Sequence, residues 1–275
     1  MIRLVVANQR GGVGKTTAAV NYAWFLAQRG MRTLLIDTDS QGSVGVMLNL
    51  KPKHFFSHFL VHKFHLEECV VPYGDKLDVL CGNKDTVQAE SALAGAVVRE
   101  LALKLYLEPY EKNYDAVVID VSPSINLLQT CAMVYARNVV IPVNMDLLSL
   151  NGANAAFDMI RLLNDLIKAE INALGLMPCQ VDQRLSVTGL VMQGLEKMSQ
   201  MFSIPILPAV RTDQSVNKAF RMRRPLLEFE PASKAAQDYY AVFERITDLM
   251  ESPPNLNPIL NGEGATAATP LIQTP

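Results

Sequence analysis

Short runs of consecutive apolar residues alternate along this chain with longer segments in which apolar positions recur every three or four residues. The short runs are typical of buried β-strands, and the longer segments are typical of helices with one apolar face. Seven strands are predicted, at residues 2–7, 33–37, 77–81, 116–120, 139–143, 174–177 and 204–207. Two helices have a clear apolar face, formed by Ala156, Ile160, Leu163 and Ile167 and by Ala235, Tyr239, Val242, Ile246 and Leu249.

This alternation of strands and helices predicts the fold class. It favours right-handed crossovers, which build a mainly parallel sheet with helices on both faces. The expected fold is therefore α/β, a three-layer sandwich around a mainly parallel twisted sheet. No change of composition divides residues 1–251, so one domain is expected there. Residues 252–275 are almost uncharged and rich in Pro, Asn, Gly, Thr and Ala. A disordered tail is predicted, because it can bury too little surface to offset its ordering entropy.

The composition narrows the classes of function. Of the 275 residues, 49% are apolar, enough for a sizeable core, and the net charge of -2 gives no global attraction to nucleic acid. The four cysteines are widely spaced without a C-x-x-C pair, which speaks against a zinc site or an iron-sulfur cluster within one chain. With no signal-peptide pattern and no apolar run of about 20 residues, a cytoplasmic protein without a membrane partner is expected.

A glycine-rich loop follows the first predicted strand, where residues 10–17 read Arg-Gly-Gly-Val-Gly-Lys-Thr-Thr. A helix is predicted from Thr16 to about Gly30. In this strand-loop-helix context the exposed N–H groups and the helix dipole both favour a bound phosphate. Lys15 is expected to reach the outer phosphates, and the Thr16 hydroxyl to ligate Mg²⁺. The predicted phosphate-binding residues are Gly11, Gly12, Val13, Gly14, Lys15, Thr16 and Thr17.

Carboxylates end two other predicted strands, at the sheet edge where open α/β folds bind ligands. Asp37 and Asp39 lie at the end of the second strand, and Asp120 ends the strand at 116–120. In isolation an aspartate pair is more typical of turns, but beside a phosphate loop it favours a nucleotide site. Asp120 can hold the water shell of Mg²⁺, and an acid ending so apolar a strand is costly without a partner. The expected metal environment comprises Thr16, Asp39 and Asp120.

The loop departs from the pattern G-x-x-x-x-G-K-[ST], because Gln9 replaces its first glycine. It resembles instead the deviant Walker A motif of the ParA/MinD superfamily of P-loop ATPases, K-G-G-x-G-K-T, with Arg10 in place of the signature lysine. Residues 37–43 resemble that family's D-x-D-P-Q-G-N box, with serine for its proline and its asparagine. The resemblance implies ATP or ADP and Mg²⁺ as ligands. It assigns Asp39 to orienting the attacking water and Asp37 to supporting it.

The resemblance also implies that Arg10 reaches the phosphates of a partner subunit, a role that suits a forked, always charged guanidinium. The alternative is an arginine that is only solvated or contacts its own nucleotide. Catalysis is thus assigned to Lys15, Asp39, Arg10 and Asp120.

The resemblance extends over roughly residues 1–250. Residues 77–83 are similar to the family's L-D-(apolar)-x-P-S-N strand, and residues 141–143 with Leu150 and Gly152 to its I-P-V…L-x-G segment. Residues 223–239 are similar to its G-K-P…E-Y-D-P-x-S-x-G-A ending. The tail, which is uncharged except for Glu263 and is broken by prolines, favours the ParA branch over the MinD branch, which carries a basic membrane helix.

This likeness implies a homodimer that forms with ATP, binds DNA non-specifically and associates with the nucleoid, and whose slow hydrolysis a ParB-like or cargo-adaptor protein stimulates. The cargo is a plasmid, a chromosome or a protein assembly. The alternatives are a MinD-like positioning ATPase, a metabolic enzyme that couples ATP to electron transfer or ligation, and an ATPase-dead scaffold. The intact Lys15, Thr16, Asp39 and Asp120 argue against the scaffold.

Basic residues near the C-terminus are the candidates for DNA contact. Lys218 and Arg221 stand one helical turn apart and can share a face, suited to salt-sensitive phosphate contacts. The alternative is an ordinary solvated face. The predicted DNA-binding residues are Arg211, Lys218, Arg221, Arg223 and Arg224.

Four histidines lie among phenylalanines in residues 54–65. If this segment is helical, His54, His58, His62 and His65 lie along one face, and an i, i+4 pair can hold a metal. The favoured interpretation is a partly exposed helix whose aromatic residues pack on the sheet or meet a partner, because spacing alone does not supply the further ligands.

Overall fold

A computed structural model of the chain describes residues 1–251. Its centre is one seven-stranded sheet, in the order β3-β4-β2-β5-β1-β6-β7. The strands are β1 (Ile2–Val6), β2 (Thr33–Asp37), β3 (Val70–Pro72), β4 (Leu77–Leu80), β5 (Ala116–Asp120), β6 (Asn138–Asn144) and β7 (Asn172–Cys179). All neighbouring strands are parallel except β3, which runs antiparallel to β4.

Helices cover both faces of this sheet. They are α1 (Lys15–Gln28), α2 (Ser43–Met47), α3 (Phe56–Leu60), α4 (Leu66–Cys69), α5 (Thr86–Ala94), α6 (Ala102–Leu107), α7 (Leu127–Ala136), α8 (Leu147–Ile167), α9 (Ser186–Phe202), α10 (Gln214–Arg221), α11 (Leu226–Phe229) and α12 (Lys234–Glu251), with 3₁₀ turns at Arg99–Leu101 and Glu108–Asn113. Apolar residues of α1, α2 and α10–α12 form the core on one face, and those of α3–α9 form the core on the other. The predicted three-layer α/β fold is confirmed.

Six of the seven predicted strands correspond to strands of the sheet. The prediction at 204–207 is wrong: this segment makes one isolated bridge, between Leu176 and Ile206. Pro205 and Pro208 lack the N–H that a longer ladder would need. The edge strand β3 was not predicted, because three residues ending in Pro72 are too short to show a period.

The two predicted helix faces are largely confirmed. All five apolar residues named for α12 are buried, as are three of the four named for α8. Ile167, the last residue of α8, is 43% exposed. The first helix ends at Gln28, and Gly30 follows in the left-handed region (φ +84°), where glycine carries no steric cost.

The four cysteines are free and buried. Within residues 1–251, no helix is both long and apolar enough to cross a membrane. The predicted tail, 252–275, lies outside the described residues, so the division at residue 251 stays a prediction.

The core beneath α8 provides a test of packing. Phe157 is fully buried, and its ring stacks on Phe202 with centroids 4.1 Å apart. We expect Phe157→Ala to lower the free energy of unfolding by roughly 3 to 5 kcal/mol, because it removes a buried ring and leaves a cavity. Urea denaturation followed by circular dichroism measures this. Leu166→Ala, on the same helix but 72% exposed, is the control and should change stability by less than about 0.5 kcal/mol. Equal losses in both variants would contradict this packing.

Candidate functional site

The order of the strands brings the predicted site residues together. β5 lies between β2 and β1, and its last residue, Asp120, is in register with Asp37 on one side and Val6 on the other. The glycine-rich loop leaves the sheet directly after β1. Because the carboxyl ends of parallel strands share one edge, the loop and both carboxylates meet there.

The glycine-rich loop has the backbone that its sequence predicts. Gly12 (φ +77°) and Gly14 (φ +92°) occupy the left-handed region, and Gly14 immediately precedes α1. The Lys15 side chain folds back into the loop, where Nζ donates a hydrogen bond to the Arg10 carbonyl oxygen at 2.9 Å. Burial lowers the pKa of Lys15, and the nearby Asp120 and Asp39 oppose that shift. Lys15 is therefore an inward-directed cation at the start of a helix.

Asp120 is completely buried, and neither of its carboxylate oxygens has a hydrogen-bond partner among the described residues. Burial raises its pKa to about 7, although the Thr16 hydroxyl and the Lys15 ammonium act in the opposite direction. A buried carboxylate without a partner is costly, and a divalent cation with its water shell would satisfy it. Asp120 and Thr16 thus fit the magnesium site that the sequence predicts.

Asp37 and Asp39 have different tasks in the loop after β2. Asp37 is buried, and its two carboxylate oxygens accept hydrogen bonds from the backbone N–H groups of Asp39 (2.9 Å) and Val44 (3.1 Å). Burial and the neighbouring Asp120 raise the pKa of Asp37 well above its usual range. Asp37 therefore holds the loop, whereas Asp39 lines the open cavity and uses Oδ1 to accept the Gln41 N–H at 3.0 Å.

A cavity of about 680 Å³ opens between these elements. It contains most of the predicted phosphate-binding residues, from Gly11 to Thr17, together with Asp39. Its walls also include Glu90 of α5, Ser122 after β5 and Gln180 after β7. Cationic, hydroxyl and backbone N–H groups at one end of such a cavity are suited to a Mg-nucleotide.

Arg10 does not line this cavity. Its half-exposed side chain points instead toward Asp146, with Nε 3.9 Å from Oδ1. The buried Asn8 holds this end of the loop: its Nδ2 donates to the carbonyl oxygens of Pro142 (2.7 Å) and Ser149 (3.2 Å), and its Oδ1 accepts the Arg10 N–H at 2.8 Å. The guanidinium is thus directed away from its own chain's nucleotide site.

Several residues of the site were not predicted from the sequence. Asn8 and Gln180 each follow a strand, and Gln180 Nε2 donates to the Gly12 carbonyl oxygen at 3.1 Å. A polar residue just after an apolar strand is the signal that could have indicated both. Glu90 accepts the N–H of Leu127 at the start of α7 at 3.0 Å. No sequence signal indicates it, because the contact joins positions 37 residues apart.

Comparison with known proteins agrees with this geometry. A family model described as an AAA domain matches residues 1–173. The sporulation initiation inhibitor protein Soj of Bacillus subtilis is 30% identical over 252 residues, covering 86% of this chain and 94% of its own length. The chromosome partitioning protein ParA of Myxococcus xanthus is 28% identical, covering 87% and 85%. The chain belongs to the ParA/MinD family of P-loop ATPases.

Among solved structures, cobyrinic acid a,c-diamide synthase of Mycobacterium smegmatis with bound ADP and magnesium is similar, with a TM-score of 0.77 and 25% identity. The similarity covers 93% of this chain and 98% of that one. This ParA/MinD ATPase therefore has the same architecture as that synthase over nearly its whole described length.

The predicted DNA-binding residues of this ATPase differ in whether an acidic side chain already neutralises their charge. Arg211 forms two 2.8 Å hydrogen bonds with the Asp238 carboxylate, and Arg224 pairs with Glu228 at 3.0 Å. Arg223 donates to the neutral Asn49 side chain. Lys218 and Arg221 have no ion pair in residues 1–251, and both are on α10. Which of these residues contact DNA stays a prediction.

The histidine segment is not one helix. Of the four histidines, only His58 lies within α3. His65 immediately precedes α4 and contacts the Tyr110 hydroxyl at 3.3 Å. The one-face arrangement is therefore wrong, because the chain leaves the helix at Val61 and Lys63 adopts a positive φ. Three rings still form a row, with His54, His58 and His62 centroids 5.1 and 5.6 Å apart. Across residues 1–251, no group of three or more His, Cys, Asp or Glu is placed to hold a metal. Two aromatic residues of the segment, Phe56 and Phe59, pack in the core as expected.

The close contact between α8 and the phosphate loop predicts the effect of one methyl group. A Cβ on Gly152 would overlap Asn8 Oδ1 and lie 2.9 Å from the Arg10 nitrogen. We expect Gly152→Ala to displace the start of the loop and to weaken Mg-ATP binding by about tenfold or more, which is about 1.4 kcal/mol. Calorimetric titration measures this. The control is Gly189→Ala in α9, where a Cβ meets nothing within 4 Å. If Gly152→Ala binds Mg-ATP as tightly as the wild type, the close packing of Gly152 against Asn8 does not control the position of the loop.

The unpartnered Asp120 carboxylate predicts a dependence of stability on pH. Its pKa is about 7 in the folded chain and about 4 in an unfolded one. Between these values the folded state binds more protons than the unfolded chain, so Asp120 lowers stability as the pH rises through this window. In magnesium-free buffer, Asp120→Asn should therefore raise the melting temperature relative to the wild type more at about pH 7 than at about pH 5.

Thermal denaturation at the two pH values tests this, with Asp248→Asn as the control at an exposed position of α12. We also expect Asp120→Asn to lose the additional stabilisation that Mg²⁺ confers in the presence of nucleotide, because the carboxylate that satisfies the cation is gone. If Asp120→Asn melts at a lower temperature than the wild type at about pH 7, the Asp120 carboxylate does not destabilise the folded chain.

Proposed function

We propose that this ATPase is a dimerising switch that binds DNA non-specifically in its ATP state and positions or segregates a cargo. The cargo is a plasmid, a chromosome or a protein assembly, and an activating ParB-like or adaptor protein triggers hydrolysis. ATP and ADP are its nucleotides, and Mg²⁺ is its metal. The Myxococcus relative, named as a chromosome partitioning protein, supports the cargo role. In the ATP state the protein would be associated with the nucleoid.

The reaction is transfer of the terminal phosphoryl group of ATP to water. We infer that Asp39 Oδ2, which has no hydrogen-bond partner in the described part of the chain, would accept a hydrogen bond from the attacking water, while Oδ1 accepts the Gln41 N–H. Lys15 would stabilise negative charge on the transferred group. Thr16 and, through a bound water, Asp120 would hold Mg²⁺, which would supply further positive charge at the phosphates. Asp37 keeps the Asp39 loop in place.

The position of Arg10 is the observation that most strongly supports the proposed dimer. Its guanidinium lies outside its own nucleotide cavity, near Asp146 and half-exposed, although the loop around it binds phosphate. Such a group can reach the phosphates of a second subunit that faces the cavity. A guanidinium supplied in this way stabilises the charge of phosphoryl transfer.

Exposed apolar side chains around the nucleotide cavity also support a contact with a second subunit there. Leu147 and Leu148 begin α8, directly after the Asp146 that Arg10 approaches, and Ile125 lies between two residues that line the cavity. Large apolar side chains grouped on a surface are typical of protein contacts. A second subunit placed over the nucleotide cavity would cover them.

A second candidate is an ATP-coupled ligase, supported by the similarity to the diamide synthase. Such an enzyme needs a carboxylate substrate and has no need of DNA. The higher sequence identity to Soj, 30% against 25% for the synthase, favours the switch.

The test of the switch is size-exclusion chromatography with light scattering, together with retention on random-sequence duplex DNA. Each is measured with Mg-ATP, with Mg-ADP and without nucleotide, at two salt concentrations. We expect a dimer and salt-sensitive DNA retention with Mg-ATP, because phosphate contacts release counterions. If Mg-ATP changes neither the oligomeric state nor DNA retention, the switch is contradicted, and glutamine-dependent turnover of an added polycarboxylate would then favour the ligase.

Mixing two inactive variants tests the trans role of Arg10. Arg10→Ala subunits retain Asp39, and Asp39→Ala subunits retain Arg10. In a mixed dimer, one of the two sites has both groups if Arg10 acts across the interface. An equal mixture should therefore recover about a quarter of the wild-type turnover, since half of the dimers are mixed in a symmetric assembly. If Arg10 acts within its own chain, the mixture stays inactive. Arg245→Ala is the matched control and should behave as the wild type, because this exposed arginine of α12 has no ion pair within residues 1–251.

A further inference from the structure

A second cavity, of about 670 Å³, lies beside the nucleotide cavity and shares a wall with it. The shared wall is formed by Ser40 and Gln41, which follow Asp39 and line both cavities. The other walls come from residues 49–52 after α2, from residues 81–84 after β4 and from Arg223. Apart from the DNA contact predicted for Arg223, none of the roles given above involves this cavity.

The cavity has three cations and no acidic residue in its lining. Lys51, Lys84 and Arg223 are all exposed, and neither lysine has an ion pair or side-chain hydrogen bond within residues 1–251. Arg223 Nη1 donates to Asn49 Oδ1 at 2.5 Å, so its partner is neutral. Asp85, next in sequence to Lys84, is engaged by the Asn83 amide and lies outside the lining. These three positive charges are therefore not neutralised, and they favour an anionic ligand.

The cluster continues onto α10. Arg223 follows α10 and contacts Asn49 at the end of α2, which joins the two elements. The exposed Lys218 and Arg221 on α10 are likewise without ion pairs in the described chain, whereas Arg211 and Arg224 are paired with acids. The unpaired cations therefore form one surface from α10 to Lys84. A row of separate charges suits a polyanion with regularly spaced phosphates better than a single small anion.

Backbone packing connects this surface to the catalytic loop. A Cβ on Gly82 would lie 2.5 Å from the Asp39 carbonyl oxygen, and one on Gly42 would lie 2.7 Å from the Gly82 carbonyl oxygen. The two loops are thus in direct backbone contact, and neither can move far without the other. Lys84 is two residues beyond Gly82, so a change in the Asp39 loop on nucleotide binding would reach it.

We propose that Lys51, Lys84 and Arg223 bind the phosphodiester backbone of DNA, and that their arrangement depends on the nucleotide through the Asp39 loop. This inference rests on the proposed ATP-dependent DNA binding and adds to it the contact residues and the route of coupling. It moves the centre of the DNA surface away from the paired Arg211 and Arg224.

The test is a Lys51→Ala/Lys84→Ala double variant of the full chain, with DNA retention measured over a range of salt concentrations in Mg-ATP and in Mg-ADP. Each phosphate contact adds about 0.9 to the slope of log affinity against log salt. Between about 50 and about 200 mM salt, the wild type should therefore lose about tenfold more affinity per subunit than the double variant. The loss on mutation should be larger in Mg-ATP than in Mg-ADP.

The matched control is Lys104→Ala/Lys197→Ala, which removes two exposed lysines from helices on the opposite face of the sheet, and it should keep the wild-type salt slope. Circular dichroism and thermal denaturation confirm that each variant is folded. If the wild type binds DNA in Mg-ATP and the Lys51/Lys84 variant has the same slope and affinity, this inference is overturned and the proposed function stands. If the wild type shows no ATP-dependent DNA retention, both fail.

Discussion

Asp37 and Asp120 end neighbouring parallel strands in register, so the sheet holds two carboxylates together where water cannot screen them. Burial raises the pKa of both, and among residues 1–251 the cation that acts on this site is the Lys15 ammonium. Asp37 is satisfied by two backbone N–H groups, but Asp120 is satisfied by none. The folded chain therefore holds a charge imbalance that a Mg-nucleotide can relieve, and this couples ligand binding to stability.

The loops around that site are positioned by contacts with little free space. Asn8 ties the start of the phosphate loop to the region between β6 and α8, and Gly152 is the residue that lets this approach occur. Gly82 does the same for the loop that carries Asp39. Because these loops touch through backbone atoms, a ligand that shifts one of them must shift its neighbours, and backbone contacts of this kind leave few alternative arrangements.

Backbone contact between the loops also connects two surface features, Arg10 and the unpaired cations, to the nucleotide site. Arg10 leaves the phosphate loop toward Asp146 rather than into the cavity of its own chain. Its guanidinium is therefore free for the role proposed above, at the nucleotide site of a second subunit. Lys84 follows β4 and Asp146 follows β6, and these two strands lie on opposite sides of the central pair β5 and β1. The cations that line the second cavity with Lys84 therefore lie on the other side of the nucleotide site from Asp146. Nucleotide binding can therefore be communicated to two different surfaces through loops that share one edge of the sheet.

Local sequence patterns were enough to predict the α/β class, six of the strands, the phosphate loop and the strand-end carboxylates Asp37, Asp39 and Asp120. These features are local, because apolar period, glycine spacing and a polar residue ending an apolar run are all read within a few positions. The folded chain was needed to establish the strand order, the edge strand β3, the absence of a strand at 204–207 and the break of the histidine segment. Tertiary contacts also pair Arg211 and Arg224 with acids, whereas Lys51 and Lys84 have no ion pair within residues 1–251. Those outcomes depend on contacts between residues far apart in the chain, and no local pattern records them.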